Sequence, residues 1–98
     1  MIRGYRYRYV LIRDLFERDT IEEIKKAFLK YFGEILFYEA RFKFFLVNRP
    51  RVYLIRVTLE RLDELLSVLA ILRGIVVERI SGTIKKVEEL GLQVREIK

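Results

Sequence analysis

The chain contains no cysteine and no histidine. The first absence excludes disulfides, cysteine-ligated zinc sites and thiol nucleophiles. The second removes the commonest general base and metal ligand. Only two serines occur, Ser67 and Ser81, and neither has a histidine to activate it. No glycine-rich phosphate loop is present. Catalysis by the chain alone is therefore not expected. The only asparagine is Asn48 and the only glutamine Gln93. Scarce thermolabile residues beside abundant Arg, Lys and Glu point to a thermophilic source. Long apolar runs are missing too. The longest, within Leu65 to Leu72, is interrupted by Ser67 and falls far short of a membrane span. Arg3, Arg6, Arg8 and Arg13 leave no apolar block for a signal peptide at the start. A soluble cytoplasmic protein with no membrane partner is expected.

The chain has 98 residues, 52% of them apolar, enough for one domain around one modest core. Acid is missing locally. Residues 1–13 hold four arginines and no acid; residues 40–59 hold Arg41, Lys43, Arg49, Arg51 and Arg56 and no acid. Together these segments carry +9 against a whole-chain charge of +6, so the remainder carries −3. Charge segregated in this way points to an anionic partner, nucleic acid first. A solvated basic face is the plainer alternative.

Period-two alternation makes Tyr5 to Leu11 a strand, with Tyr5, Tyr7, Tyr9 and Leu11 on one side and Arg6 and Arg8 on the other. Asp19 or Thr20 can cap a helix in which Ile21, Ile24, Phe28 and Phe32 recur at helical spacing, with Gly33 as its stop. Tyr38, Ala40, Phe42, Phe44 and Leu46 alternate as a long half-buried strand. Asn48-Arg49-Pro50-Arg51 supplies turn chemistry, and Val52 to Val57 returns as the hairpin partner. Thr58 can cap a second helix with the stripe Leu62, Leu65, Leu66 and Leu69, ended by Gly74. Ile75 to Ile80 reads as a fourth strand. Ser81-Gly82-Thr83 opens a short helix to Leu90, and Leu92 to Ile97 is a possible fifth, edge strand. The fold class is α+β: a ferredoxin-like (RRM-like) βαββαβ sandwich with a short C-terminal helix. That topology sets the first and third strands side by side and brings the two basic segments together.

RNA-binding sheets stack bases on aromatics and hold phosphates with Arg or Lys. Tyr5, Tyr7 and Tyr9 suit such a platform, and equally suit a core face. Neither central strand carries the aromatic signature of a standard RNA-recognition motif, so backbone binding fits better than base reading. Ser81, Gly82 and Thr83 open a helix followed by Lys85 and Lys86, which is a possible phosphate-binding start or an ordinary capped helix. Asp14, Glu17 and Asp19 lie near a helix start, where dipole stabilisation is simpler than a Mg²⁺ site. The RNA-backbone candidates are Arg6, Arg8, Arg41, Lys43, Arg49, Arg51, Lys85 and Lys86.

The run Val76-Val77-Glu78-Arg79-Ile80-Ser81-Gly82-Thr83-Ile84-Lys85-Lys86, the helix Leu62 to Leu72, the step Arg56-Val57 and the opening Arg6-Tyr7-Arg8-Tyr9-Val10 resemble archaeal ribonuclease P protein component 2, the Pop-five-like subunit. The resemblance spans about Arg3 to Leu90 and is sharpest at Ser81 to Lys85. It implies the same sandwich fold. It also implies a role beside a catalytic RNA that removes the 5′ leader of precursor tRNA with Mg²⁺, with no cofactor bound by the chain itself. Implied partners are ribonuclease P RNA, precursor tRNA, ribonuclease P protein component 3 and a second copy of the chain. The strand-like tail after Gly91 and the strongly basic, aromatic hairpin depart from that family. A ferredoxin-like interaction or small-ligand-sensing module is the alternative from another class.

Overall fold

The computed structural model describes residues 5–97; Arg3 of the basic opening lies outside them. In chain order the elements are β1 (Tyr7–Asp14), α1 (Thr20–Ala40), β2 (Lys43–Val47), β3 (Val52–Thr58), a 3₁₀ turn (Leu59–Arg61), α2 (Leu62–Ile71), β4 (Ile75–Ser81), α3 (Ile84–Glu88) and β5 (Val94–Ile97). The five strands form one open sheet in the order β4-β1-β3-β2-β5, with every neighbouring pair antiparallel. This α+β arrangement is compatible with a ferredoxin-like fold. β1 and β3 are direct neighbours, with Tyr9 opposite Arg56 and Val10 opposite Ile55.

Alternation along β1 and β3 sends residues to two faces. Val10, Ile12, Ile55 and Val57 pack under α1 and α2 with Ile24, Phe28, Leu65, Val68 and Leu69. Phe28 is fully buried, and its ring lies 5.3, 6.1 and 5.0 Å from those of Phe32, Phe37 and Phe42. Burying one such side chain contributes about 1.5–3 kcal/mol. On the opposite face Leu11, Phe45, Val47, Val52 and Leu54 form a second cluster, roofed by Val87 of α3 and by Leu92. Both faces of this small sheet are therefore partly covered.

Several sequence expectations need correction. The first helix does not stop at Gly33. Gly33 takes φ 84 and ψ 174, a conformation open to glycine, and helix resumes beyond the kink. The chain stays helical to Ala40, so the expected strand from Tyr38 shortens to Lys43–Val47. Leu36, Phe37 and Ala40 meet the core at helical spacing, while Tyr38 is 76% exposed. In β2 it is Phe44, Phe45 and Val47 that are buried, and Leu46 is exposed, because side chains on both faces find cover. β1 starts at Tyr7 rather than Tyr5 and reaches Asp14. Thr58 makes no capping bond; its hydroxyl donates to the Glu39 carbonyl at 3.1 Å. β5 is confined to Val94–Ile97 and lies on the edge beside β2.

Asp14 is also more than a partner for a helix dipole. Its side chain is fully buried at the end of β1. It accepts from Arg18 Nε at 2.7 Å, Arg18 Nη2 at 3.1 Å, the Phe16 amide at 2.9 Å and the Thr20 hydroxyl at 2.8 Å. Arg18 also donates to the Arg73 carbonyl, tying this loop to the end of α2. Burial pushes the Asp14 carboxyl up, but these donors outweigh it and hold it below the usual aspartate range.

Candidate nucleic-acid interface

Antiparallel register determines which basic residues meet. Tyr7 lies opposite Thr58, Tyr9 opposite Arg56, and Arg56 opposite Lys43. One end of the sheet thus gathers the start of β1, the end of β3 and the start of β2. Arg41 joins them because α1 ends in an αL residue, with the Arg41 amide donating to the Tyr38 carbonyl at 3.2 Å. A non-glycine residue at φ 48 is an uncommon conformation.

Two stacked pairs form there. The Arg41 guanidinium carbon lies 3.9 Å from the Tyr5 ring centroid, and Arg41 Nη2 donates to the Tyr5 hydroxyl at 2.9 Å. The Arg56 guanidinium carbon lies 4.0 Å from the Tyr7 centroid, and Arg56 Nη2 donates to the Arg41 carbonyl at 2.9 Å. The two tyrosine rings are 6.3 Å apart. Stacking and hydrogen bonds together fix the planes of both guanidinium groups, so little freedom is left to lose on binding. Arg56 Nε is buried and makes no hydrogen bond among the described residues.

Arg6 is exposed, and its carbonyl accepts from the Leu59 amide at 2.8 Å. Arg8 is half-buried; its Nη1 donates to the Tyr7 carbonyl at 2.9 Å and would lie 3.9 Å from a Cβ at Gly82. The start of α3 therefore adjoins Arg8, with Lys85 and Lys86 both exposed. Its amides are partly spent: Thr83 Oγ1 accepts from the Lys86 amide at 3.3 Å and Ser81 Oγ from the Thr83 amide at 3.2 Å. The five-residue helix α3 is thus a self-capped turn beside basic side chains.

The remaining candidates differ. Lys43 pairs with Glu96 across the sheet at 3.7 Å. Arg49 and Arg51 sit in the β2–β3 hairpin at the opposite end, where Arg51 pairs with Glu17 at 3.7 Å and its carbonyl accepts from the Asp14 amide at 2.9 Å. The structure thus brings Arg6, Arg8, Arg41 and Lys43 to one end and leaves Arg49 and Arg51 at the other. Arg56, absent from the sequence candidates, completes the first group. Its signal was a lone charge inside the apolar run Val52 to Val57. Among the described residues, no group of three or more Asp or Glu could hold a metal ion, and no helix is long and apolar enough to cross a membrane. Comparison with known protein families and with curated proteins finds no match.

Proposed function

We propose that this chain is a ferredoxin-like (RRM-like) RNA-binding subunit of ribonuclease P that holds RNA backbone at the Tyr5–Tyr7 end of its sheet. The supporting observation is the pair of tyrosine-stacked guanidinium groups, Arg41 and Arg56, at the same end of the sheet as Arg6 and as Arg8, which lies on the face of β1 opposite Tyr7. None of these four has an ion-pair partner among the described residues. Fixed, unneutralised guanidinium groups suit phosphate contact. The ribonuclease P assignment rests on the resemblance around Ser81 to Lys86. In this reading the RNA performs precursor-tRNA cleavage in the cytoplasm with Mg²⁺, and the chain supports it together with ribonuclease P protein component 3. Reconstitution tests it: adding the chain to the cognate RNA and other subunits should raise precursor-tRNA cleavage, and no gain refutes the assignment.

A second reading, a protein-interaction module, draws on the edge strand β4. There Val77 and Ile80 are 40% and 42% exposed beside a backbone edge that is unpaired among the described residues. Tight self-association without RNA binding would favour it over the first.

A further inference from the structure

Two clefts beside the arginine cluster share one wall. The first, of about 340 Å³, is bordered by Lys25, Lys43 and Glu96 over a floor of Phe42 and Phe44. The second, of about 370 Å³, is bordered by Tyr5, Thr58, Glu39 and Glu60. Tyr38 and Arg41 border both. Tyr38 is 76% exposed although its ring meets Phe37 edge-on at 6.2 Å, so packing does not account for an aromatic here. Arg41 is held flat by Tyr5.

Charge divides across this wall. In the first cleft Lys25, Lys43 and Arg41 outnumber Glu96, with Lys25 paired to Glu22 at 3.8 Å and Lys43 to Glu96 at 3.7 Å, and Glu39 and Glu60 outnumber Arg41 in the second. Glu39 shares its carboxylate with Arg61 at 3.5 Å, whereas Glu60 has no ion pair among the described residues. A nucleotide carries the matching set: an anionic phosphate, a π face and, in adenine, cytosine and guanine, an exocyclic amine. We infer that the Tyr38–Arg41 wall binds one unpaired nucleotide of an RNA. Its phosphate lies on the Lys25–Lys43 side, its base against Tyr38 and the Arg41 guanidinium, and its amine toward Glu60. This inference rests on the RNA-binding reading above and narrows the ligand to unpaired, amine-bearing bases. A paired base, stacked within a duplex, cannot present its face to the wall.

The test is fluorescence anisotropy with labelled oligo(A), oligo(C), oligo(U) and an RNA duplex over a salt series. Oligo(A) and oligo(C) should bind about tenfold more tightly than oligo(U), because a hydrogen bond to a charged acceptor is lost with uracil. The duplex should bind more weakly than oligo(A). Tyr38→Ala should weaken oligo(A) binding by about 5- to 150-fold, the usual range for one stacked base, without changing the salt slope. Tyr38→Phe should bind as the wild type. Arg41→Lys should weaken binding because an ammonium lacks the plane. Glu60→Gln should abolish the preference over oligo(U). Duplex and oligo(A) bound equally, or Tyr38→Ala indistinguishable from wild type, with a steep salt slope retained, overturns this inference alone. No binding to any of these RNAs overturns it together with the RNA-binding reading. Free AMP offers the same chemistry; if it displaces oligo(A) at equal nucleotide concentration, the assignment to RNA fails.

Discussion

The proposed RNA-backbone binding at the Tyr5–Tyr7 end makes a numerical demand on salt dependence. Arg6, Arg8, Arg41 and Arg56 have no ion-pair partner among the described residues. If each neutralises one phosphate of a single strand, the slope of log affinity against log salt is about −2.8, at about 0.7 per contact. Raising salt from about 50 to about 200 mM then weakens binding by about 50-fold. The double variant Arg41→Ala/Arg56→Ala halves the slope to about −1.4, and the same salt step costs about sevenfold. The control is Arg49→Ala/Arg51→Ala, which removes equal charge elsewhere. Arg51 lies five residues from Arg56 along the chain, about 17 Å at strand rise and about twice the Debye length at physiological salt. This control should leave the slope unchanged. Anisotropy titrations of single-stranded RNA measure all three proteins, and urea melts check that each is folded. If the hairpin variant loses as much slope as the stacked-arginine variant, binding follows total charge and the localised site is wrong.

Removing the buried Asp14 carboxylate by Asp14→Ala should cost about 3 kcal/mol, since Arg18 is left without its partner; a shift in the urea midpoint measures it. The folded-state pKa of Asp14 is lowered, so its contribution is complete above the ordinary aspartate value and lost as pH falls below about 4. Wild-type stability should therefore decline more steeply on acidification than that of Asp14→Asn; equal acid limbs contradict the sign. Phe28→Ala, at the centre of the aromatic cluster, should cost about 3–5 kcal/mol by chemical denaturation. Gly74→Ala should cost more than the about 1–2 kcal/mol of a left-handed backbone, because φ is +86 and a Cβ would lie 2.9 Å from Phe16 Cδ2. Gly33→Ala, where a Cβ meets open space, should show only the backbone cost of its φ 84, ψ 174 conformation, about 1–3 kcal/mol.

The start of α1 and the hairpin were legible because each rests on local pattern, and the neighbouring of β1 and β3 because it follows from the order of the elements. Ile21, Ile24 and Phe28 recur at helical spacing, and Asn48 to Arg51 carries turn chemistry. Gly33 misled for a physical reason. Left-handed freedom that commonly ends a helix here allows a kink, and Leu36, Phe37 and Ala40 draw the chain back to the core. The alternation from Tyr38 to Leu46 thus spans the end of α1 and the start of β2. Phe44 and Phe45 are both buried on opposite faces, so a clean period of two was not to be had. Asp14 was legible in principle, since its donors Phe16, Arg18 and Thr20 follow at two, four and six residues. Arg56 was legible only as a lone charge in an acid-free segment, because the Tyr7 ring it stacks on comes from another strand, and Tyr38 only as a strand residue, because the helix runs on past Gly33.

The second core cluster explains why the candidate interface sits at the end of the sheet. In an open two-layer sandwich the face opposite the helices is free to carry stacked bases. Here Val87 and Leu92 roof Leu11, Phe45, Val47, Val52 and Leu54 on that face. Tyr9 follows them inward, its ring 6.3 Å from Phe45. The middle of the sheet is thereby closed to a base. Tyr5 and Tyr7 lie beyond this roof, and they are the tyrosines that carry stacked arginines. The tyrosine stripe of β1 therefore divides by position: Tyr9 joins the core, while Tyr5 and Tyr7 support charge. A roof of this kind strips the sheet of a broad aromatic platform and leaves fixed cations and edge clefts as the means of contact. On the proposed RNA-binding reading, backbone charge and a local nucleotide pocket are the contacts that this geometry leaves open.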